Sequence, residues 1–250
     1  MIRRREFITL LGGAAAAWPL AAWAQQSDQR RRIGVLTALA EGDPENQARL
    51  AGFRYGLERR GWSEGHNLSI DYRFAPAASP DQAQPFAKEL VALRPDVIFA
   101  QTTPVVTALQ HETRAIPIVF AGVADPVGSG FIASLPHPGS NITGVMLYEP
   151  TVTGKWLSML KEIAPPIVRA AFVLNPNTAT YYNYYLRAAE PLSRSLGIEL
   201  VPTLVASVAE IEREIEIFAR APNGGLLVLP DATLIASPAS TYRMLFRSVT

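Results

Sequence analysis

The feature of this chain that most limits its fold is an alternation beginning near Arg32: short apolar runs take turns with longer segments whose apolar residues recur at helical spacing. That alternation is the signature of βαβ units, which build a parallel sheet. Ile33 to Thr37 reads as the first strand, and Pro44 to Arg60 as a helix with Leu50, Phe53 and Leu57 on one stripe, stopping at Gly61. Leu68 to Phe74 is the second strand. Pro80 opens a helix carrying Ala83, Phe86, Leu90 and Leu93, and Pro95 closes it before the strand Asp96 to Ala100. Thr103 is an N-cap with Pro104 at the first helical position, the helix runs to about Arg114, and Ile116 to Ala121 is the next strand.

After the turn-rich stretch Pro136-His137-Pro138-Gly139, a strand near Ile142 to Leu147 leads into a second round of the same pattern. Thr153 to Ile163 is a helix, Arg169 to Leu174 a strand, and Tyr181 to Leu196 a helix stopped by Gly197. Ile198 to Val205 is a strand, Val208 to Arg220 a helix and Gly225 to Leu229 a strand. The expected fold is therefore α/β: two Rossmann-like lobes with parallel sheets, the second incomplete. Ligands of open parallel sheets bind beyond the carboxyl ends of the strands, near helix N-termini. Thr37, Gln101-Thr102-Thr103 and Ala124-Asp125 end strands in the first half, and Asn175 and Pro230-Asp231 do so in the second. Two such lobes facing each other would make a cleft.

The first residues read as an address. Arg4 and Arg5 followed by Phe7, an apolar run from Thr9 to Leu20 and a small-residue exit at Ala22-Trp23-Ala24 form a cleavable export signal of twin-arginine type. The run is too short to span a membrane, which takes about 20 apolar residues. Cleavage after Ala24 shifts the formal net charge from +1 to about −1, which argues against a nucleic-acid partner, since affinity for phosphate backbones comes from clustered Lys and Arg. The chain has no cysteine, so no disulfide, no thiolate nucleophile and no cysteine to carry a lipid at the cleavage site. His66, His111 and His137 are scattered singly, with no metal-ligand spacing, and are expected in surface or capping roles.

Several apparent motifs carry no chemistry. Gly128-Ser129-Gly130-Phe131-Ile132-Ala133 has the form of a dinucleotide fingerprint with Glu149 at about the ribose-binding distance. However, Pro136 and Pro138 leave no room for the helix such a crossover needs. No G-x-S-x-G elbow exists, and Glu210, Glu212, Glu214 and Glu216 interleaved with isoleucines make a solvated helix face. No cofactor, metal or catalytic residue is implied.

The constellation Ile118-Val119-Phe120-Ala121-Gly122-Val123-Ala124-Asp125-Pro126-Val127-Gly128-Ser129-Gly130-Phe131 resembles the hallmark of periplasmic substrate-binding proteins of ABC transporters, in the family whose better-known members bind aromatic amino acids. Gly52-Phe53, Gly61-Trp62, Asn141 to Val145, Lys155-Trp156-Leu157 and Asn175-Pro176-Asn177 agree in order and spacing, so the resemblance covers about residues 32 to 231. It implies a type I periplasmic binding fold with an export signal at 1–24, a linker at 25–31, an N-terminal lobe at 32–148 and a C-terminal lobe at 149–250. It implies no enzymatic activity. Its partners would be a small-molecule solute, an ABC permease at the inner membrane and the export machinery. By position, Thr102, Thr103 and Asp125 match ligand contacts from the first lobe, and Asn175, Asn177 and Asp231 those from the second. Hydroxyls and helix-start amides suit a ligand carboxylate, and Asp125 or Asp231 suits an ammonium group. Each also fits a turn or cap on composition alone, and Tyr181, Tyr182, Tyr184 and Tyr185 fit either a stacked planar ligand or packing on the sheet. Residues 232–250 depart from the family pattern, as a truncated or altered end would. The reading is an exported, soluble periplasmic solute-binding component. An exported Rossmann-like enzyme and a sensor or adaptor that has lost transport are the alternatives.

Overall fold

The computed structural model describes residues 30–76, 80–179 and 181–229. In chain order the elements are β1 (Arg31–Thr37), α1 (Pro44–Glu58), β2 (Leu68–Phe74), α2 (Pro80–Ala92), β3 (Val97–Gln101), α3 (Thr103–Glu112), β4 (Ile118–Val123) and β5 (Ile142–Met146). There follow α4 (Val152–Ile163), β6 (Arg169–Leu174), α5 (Tyr182–Leu196), β7 (Glu199–Leu204), α6 (Val208–Ala219) and β8 (Gly224–Val228). The strands form a five-stranded sheet in the order β2-β1-β3-β4-β5 and a three-stranded sheet in the order β7-β6-β8. Every pairing is parallel; helical crossovers join the paired strands except β4 and β5, which an irregular segment of turns connects.

Each sheet is covered on both faces, which is why its strands read as apolar runs. On one face of the first sheet, Ile33, Val35 and Leu68 pack with Leu50, Phe53 and Leu57 of α1, and Phe53 stacks on Phe99 at 4.6 Å. On the other, Leu36, Ile98, Ala100, Ile118 and Phe120 pack with Ala83, Ala87 and Leu90 of α2 and Val105, Ala108 and Leu109 of α3. The second sheet repeats the plan: Ala170, Phe172 and Leu174 face Leu157 of α4 and Tyr185 and Ala189 of α5, while Ala171 and Val173 face Ile211 and Ile215 of α6. The helix that follows the first strand of each set lies on one face and the next helix on the other, the consequence of right-handed crossovers that run outward and then return.

Local chemistry fixes the ends. The Asp43 carboxylate accepts from the amides of Glu45 and Asn46 at 2.8 and 3.0 Å, capping α1. Ser207 accepts from the Glu210 amide at 3.3 Å while the Glu210 carboxylate accepts from the Ala206 amide at 2.7 Å, a reciprocal cap on α6. Most boundaries fall within a residue or two of the sequence expectation, and two of the shifts have a visible cause. β4 begins at Ile118, two residues later than Ile116, because Thr113 Oγ1 accepts from the Ala115 and Ile116 amides and holds a turn there. α3 begins at Thr103 with Thr102 as its N-cap, so Thr103 is the first helical residue and not the cap. Of the α6 glutamates, Glu212 and Glu216 are exposed and Glu210 and Glu214 are half-buried, and the three histidines are exposed. The segment Gly128 to Ala133 forms turns and no crossover helix.

Two features give direct tests. Gly144 pairs with Phe120 in the β4–β5 ladder, and a Cβ there would fall inside the contact distance of the Phe120 carbonyl and 2.7 Å from its amide nitrogen. Gly144→Ala is therefore expected to cost about 2 kcal/mol or more, read as a lowered denaturant midpoint. At the amino end of the first sheet, Arg32 pairs with Asp71 at 2.6 Å and Arg31 with Asp96 at 2.8 Å. Hydrogen bonds from Arg32 hold the Asp71 carboxyl below its ordinary range, and those from the Arg32 amide and Arg31 side chain do the same for Asp96. A lowered folded-state value stabilises above the unfolded value and loses that stability as pH falls through the folded one. The Tm gap between the parent and Asp71→Asn should thus be full at neutral pH and close as pH drops below about 4.

Candidate functional site

In both sheets the strand order reverses beside the first strand of the set, between β1 and β3 and between β6 and β8. Adjacent connections diverge there and leave a crevice at the carboxyl ends. In the first sheet this edge carries Thr37, Gln101, Thr102 and Thr103, all buried. Thr102 has φ 77° and ψ 155°, a rare conformation for a β-branched residue. The turn is held because the Thr102 amide donates to the Ala121 carbonyl at 3.3 Å and its own carbonyl accepts from Val106 at 3.2 Å. α3 thereby starts at the sheet edge without any side-chain cap, leaving its first amides directed at the crevice.

The same edge concentrates polar atoms that have no partner. Gln101 Oε1, Thr102 Oγ1 and Ser129 Oγ are buried with no hydrogen bond, and each such atom costs about 1–3 kcal/mol. Asp125 is differently placed: it is buried, and its Oδ1 accepts from the Gly128 amide at 2.8 Å, so one of its oxygens sets the turn that sequence composition allows. A Cβ on Gly128 would collide with that carboxylate and with the Tyr184 ring at 2.8 Å, so only glycine fits between them.

At the carboxyl end of β6, Asn175 is buried, and its Oδ1 accepts from the Asn177 amide at 2.9 Å while its carbonyl accepts from Ala179 at 2.8 Å. Asn177 is exposed. Of the tyrosines that follow, Tyr181 and Tyr185 are buried in the core and Tyr184 is half-exposed, so packing on the sheet accounts for the first two. The Tyr185 hydroxyl shares its single proton between the Tyr148 and Ala124 carbonyls at 2.8 and 3.1 Å, and the Tyr184 hydroxyl donates toward the Gly128 carbonyl at 3.4 Å. Burial, and the charge of Asp125 nearby, raise the Tyr185 phenol above its ordinary range, so it stays a neutral donor. Because Tyr184 and Tyr185 sit in the first turn of α5 and Ala124 and Gly128 just beyond β4, these contacts set the carboxyl edge of one sheet against that of the other. Thr102, Thr103 and Asp125 thus share one edge and Asn175 and Asn177 the facing one. Asp231 and the signal residues Arg4, Arg5, Phe7, Ala22 and Ala24 lie outside the described residues. Sequence reasoning grouped Gln101 with the strand end without singling it out, although a glutamine closing the apolar run Val97 to Ala100 was the available signal. Ser129 and the role of Tyr185 left no such trace.

Two parallel sheets, each covered by helices and tied to each other near their carboxyl edges, define a two-part α/β architecture. Residues 32–242 match the family model described as ABC transporter substrate binding protein, and the chain belongs to that family. The match runs past Asp231 into the tail. A tyrosine-binding protein of Clostridioides difficile is 32% identical over 149 residues, which are 60% of this chain and 42% of that protein's length. Among solved structures, a conserved domain protein of Vibrio cholerae superposes with a TM-score of 0.78 at 27% identity, covering 89% of this chain and 73% of the other. An ABC domain from Streptococcus pneumonia in complex with L-Trp gives a TM-score of 0.73 at 22% identity, with coverages of 88% and 70%. Among the described residues, no helix is long and apolar enough to cross a membrane.

The strain at Thr102 gives the test of this geometry. Relief of the left-handed conformation, worth about 1–3 kcal/mol, outweighs the added chain entropy of glycine, about 0.5–1 kcal/mol. Thr102→Gly is expected to stabilise the protein by roughly 1 kcal/mol, measured as a raised urea midpoint at unchanged slope.

Proposed function

We propose that this protein is the exported solute-binding component of an ABC import system, and that it captures a small zwitterionic metabolite, an amino acid or a related compound, between the two carboxyl edges. The observation that carries this reading is the uncapped start of α3 beside Gln101 and Thr102, whose buried side-chain oxygens lack partners. A ligand carboxylate fits the α3 amides and the Thr102 and Thr103 hydroxyls, where the helix dipole favours negative charge. The Asp125 oxygen not held by Gly128, or Asp231, suits an ammonium group, and Asn175 and Asn177 supply polar contacts from the second sheet. The family match, and the likeness to a tyrosine-binding protein, support the choice of amino acids as the first class. The paired arginines, apolar run and Ala22-Trp23-Ala24 exit support export to the periplasm, with the division into lobes at residue 148 and delivery to an inner-membrane permease following from the same reading.

Trp156 lies edge-on to Tyr148 at 5.7 Å, beside the segment joining the sheets, so its fluorescence should report binding. Titration with L-tyrosine, L-tryptophan and a panel of other amino acids and sugars is expected to give a saturable change and a raised Tm with at least one. A folded sample that answers to none overturns the proposal. Asp125→Asn should weaken an amine-bearing solute by about 10- to 100-fold, the worth of a charge-assisted hydrogen bond, and leave a solute without an amine unaffected.

A further inference from the structure

The Tyr185 side chain is fully buried in the core of the second sheet, yet its hydroxyl serves the first. It meets Ala124 O, on the segment leaving β4, at 3.1 Å, and Tyr148 O, on the segment leaving β5, at 2.8 Å. The Ala124 side chain already belongs to the second sheet's core, and the segment after β5 is the one by which the chain passes to α4. These two segments are tied to each other by the Leu147 amide, which donates to the Val123 carbonyl at 2.8 Å. Thr153 Oγ1 of α4 in turn reaches the Tyr185 carbonyl at 3.1 Å and the Pro150 carbonyl at 2.7 Å. One phenol therefore joins α5 to both strands' exits.

The neighbouring contact is of another kind. Tyr184 is 45% exposed and its hydroxyl reaches Gly128 O only at 3.4 Å, where water can replace either partner. Breaking the Tyr185 bonds would strand the phenol and the Ala124 carbonyl in a buried site and loosen the partly buried Tyr148 carbonyl, whereas breaking the Tyr184 bond strands nothing. Any rotation of one sheet against the other will therefore preserve the first and give up the second.

We propose that Tyr185 is the pivot between the two sheets, its hydroxyl pinning the exits of β4 and β5 to α5, and that the Tyr184–Gly128 contact is the one released when the sheets swing apart. The proposal rests on the reading of the protein as a binder that holds a solute between its two sheets, and adds that the sheets move apart to admit it. Its test needs no solute, so its failure leaves that reading standing, and a protein that binds none of the solutes tried can still pass it.

The chain has no cysteine, so Lys88→Cys on α2 and Glu212→Cys on α6, both exposed positions, accept a donor and an acceptor dye for single-molecule energy transfer. In that background Tyr185→Phe is expected to broaden the inter-dye distance distribution and to lower Tm by about 3–8 °C. Tyr184→Phe is expected to shift the distribution toward longer distances without broadening it, at a Tm within about 1 °C of the parent. Thr153→Val, which keeps the phenol but releases the Tyr185 backbone, should broaden the distribution less than Tyr185→Phe does, and it decides the matter if Tyr185→Phe does not fold. A Tyr185→Phe protein that loses Tm at unchanged width has a packing tyrosine and no pivot, and overturns the proposal. So does an unchanged width in Thr153→Val, or a Tyr184→Phe distribution that matches the parent.

Discussion

Parallel strand pairing is the constraint on which the rest of this structure depends. Once β1 pairs with β3 in the same direction, Leu36 stands opposite Ala100, and Thr37 and Gln101 must leave the sheet at the same edge. The helices that return the chain then all start at that edge, presenting their free amides to it. Because the second sheet obeys the same rule, with Val173 opposite Val228, both sheets have one edge rich in helix starts and polar turns. The core residues on either face are interchangeable apolar groups in comparison. What they secure is that these two edges are stable enough to carry strain.

On the first sheet this edge carries both backbone strain and unmet polarity. Thr102 holds a left-handed backbone that almost any other position in the sheet would relax, and Gln101, Thr102 and Ser129 bury oxygens with no partner. The opposite edge of the first sheet is the reverse case: Arg31, Arg32, Asp71 and Asp96 are paired and partly solvated. Under the proposed function, the oxygens left without partners at the carboxyl edge would gain free energy from a bound solute. Tyr185 joins this economy by tying the two edges' supports together at a depth where its hydrogen bonds are costly to break.

Much of this was legible beforehand because helices and parallel strands are specified locally. The stripe Leu50, Phe53, Leu57 and the continuous run Val97 to Ala100 each state their element and their burial without reference to anything distant. The strand ends followed from the same reading, which is why Thr102, Asp125 and Asn175 could be named as edge residues. The start of α3 was misplaced by one residue because the left-handed turn at Thr102 is imposed by its pairing with Ala121, a tertiary contact. Tyr185 was indistinguishable from Tyr181 in sequence, since both fall on the apolar face of one helix. Only the approach of Ala124 and Tyr148, far away along the chain, separates a core tyrosine from one that spans two sheets.

The most direct measurement of the central claim is amide hydrogen exchange with and without a solute that raises Tm, beginning with L-tyrosine. Binding between opposed edges predicts that residues 102–106 and residues 175–179 gain protection together, with a common midpoint in solute concentration, because one molecule must touch both. Protection confined to one sheet, or two midpoints well apart, would mean that the edges do not share a ligand and would contradict the account.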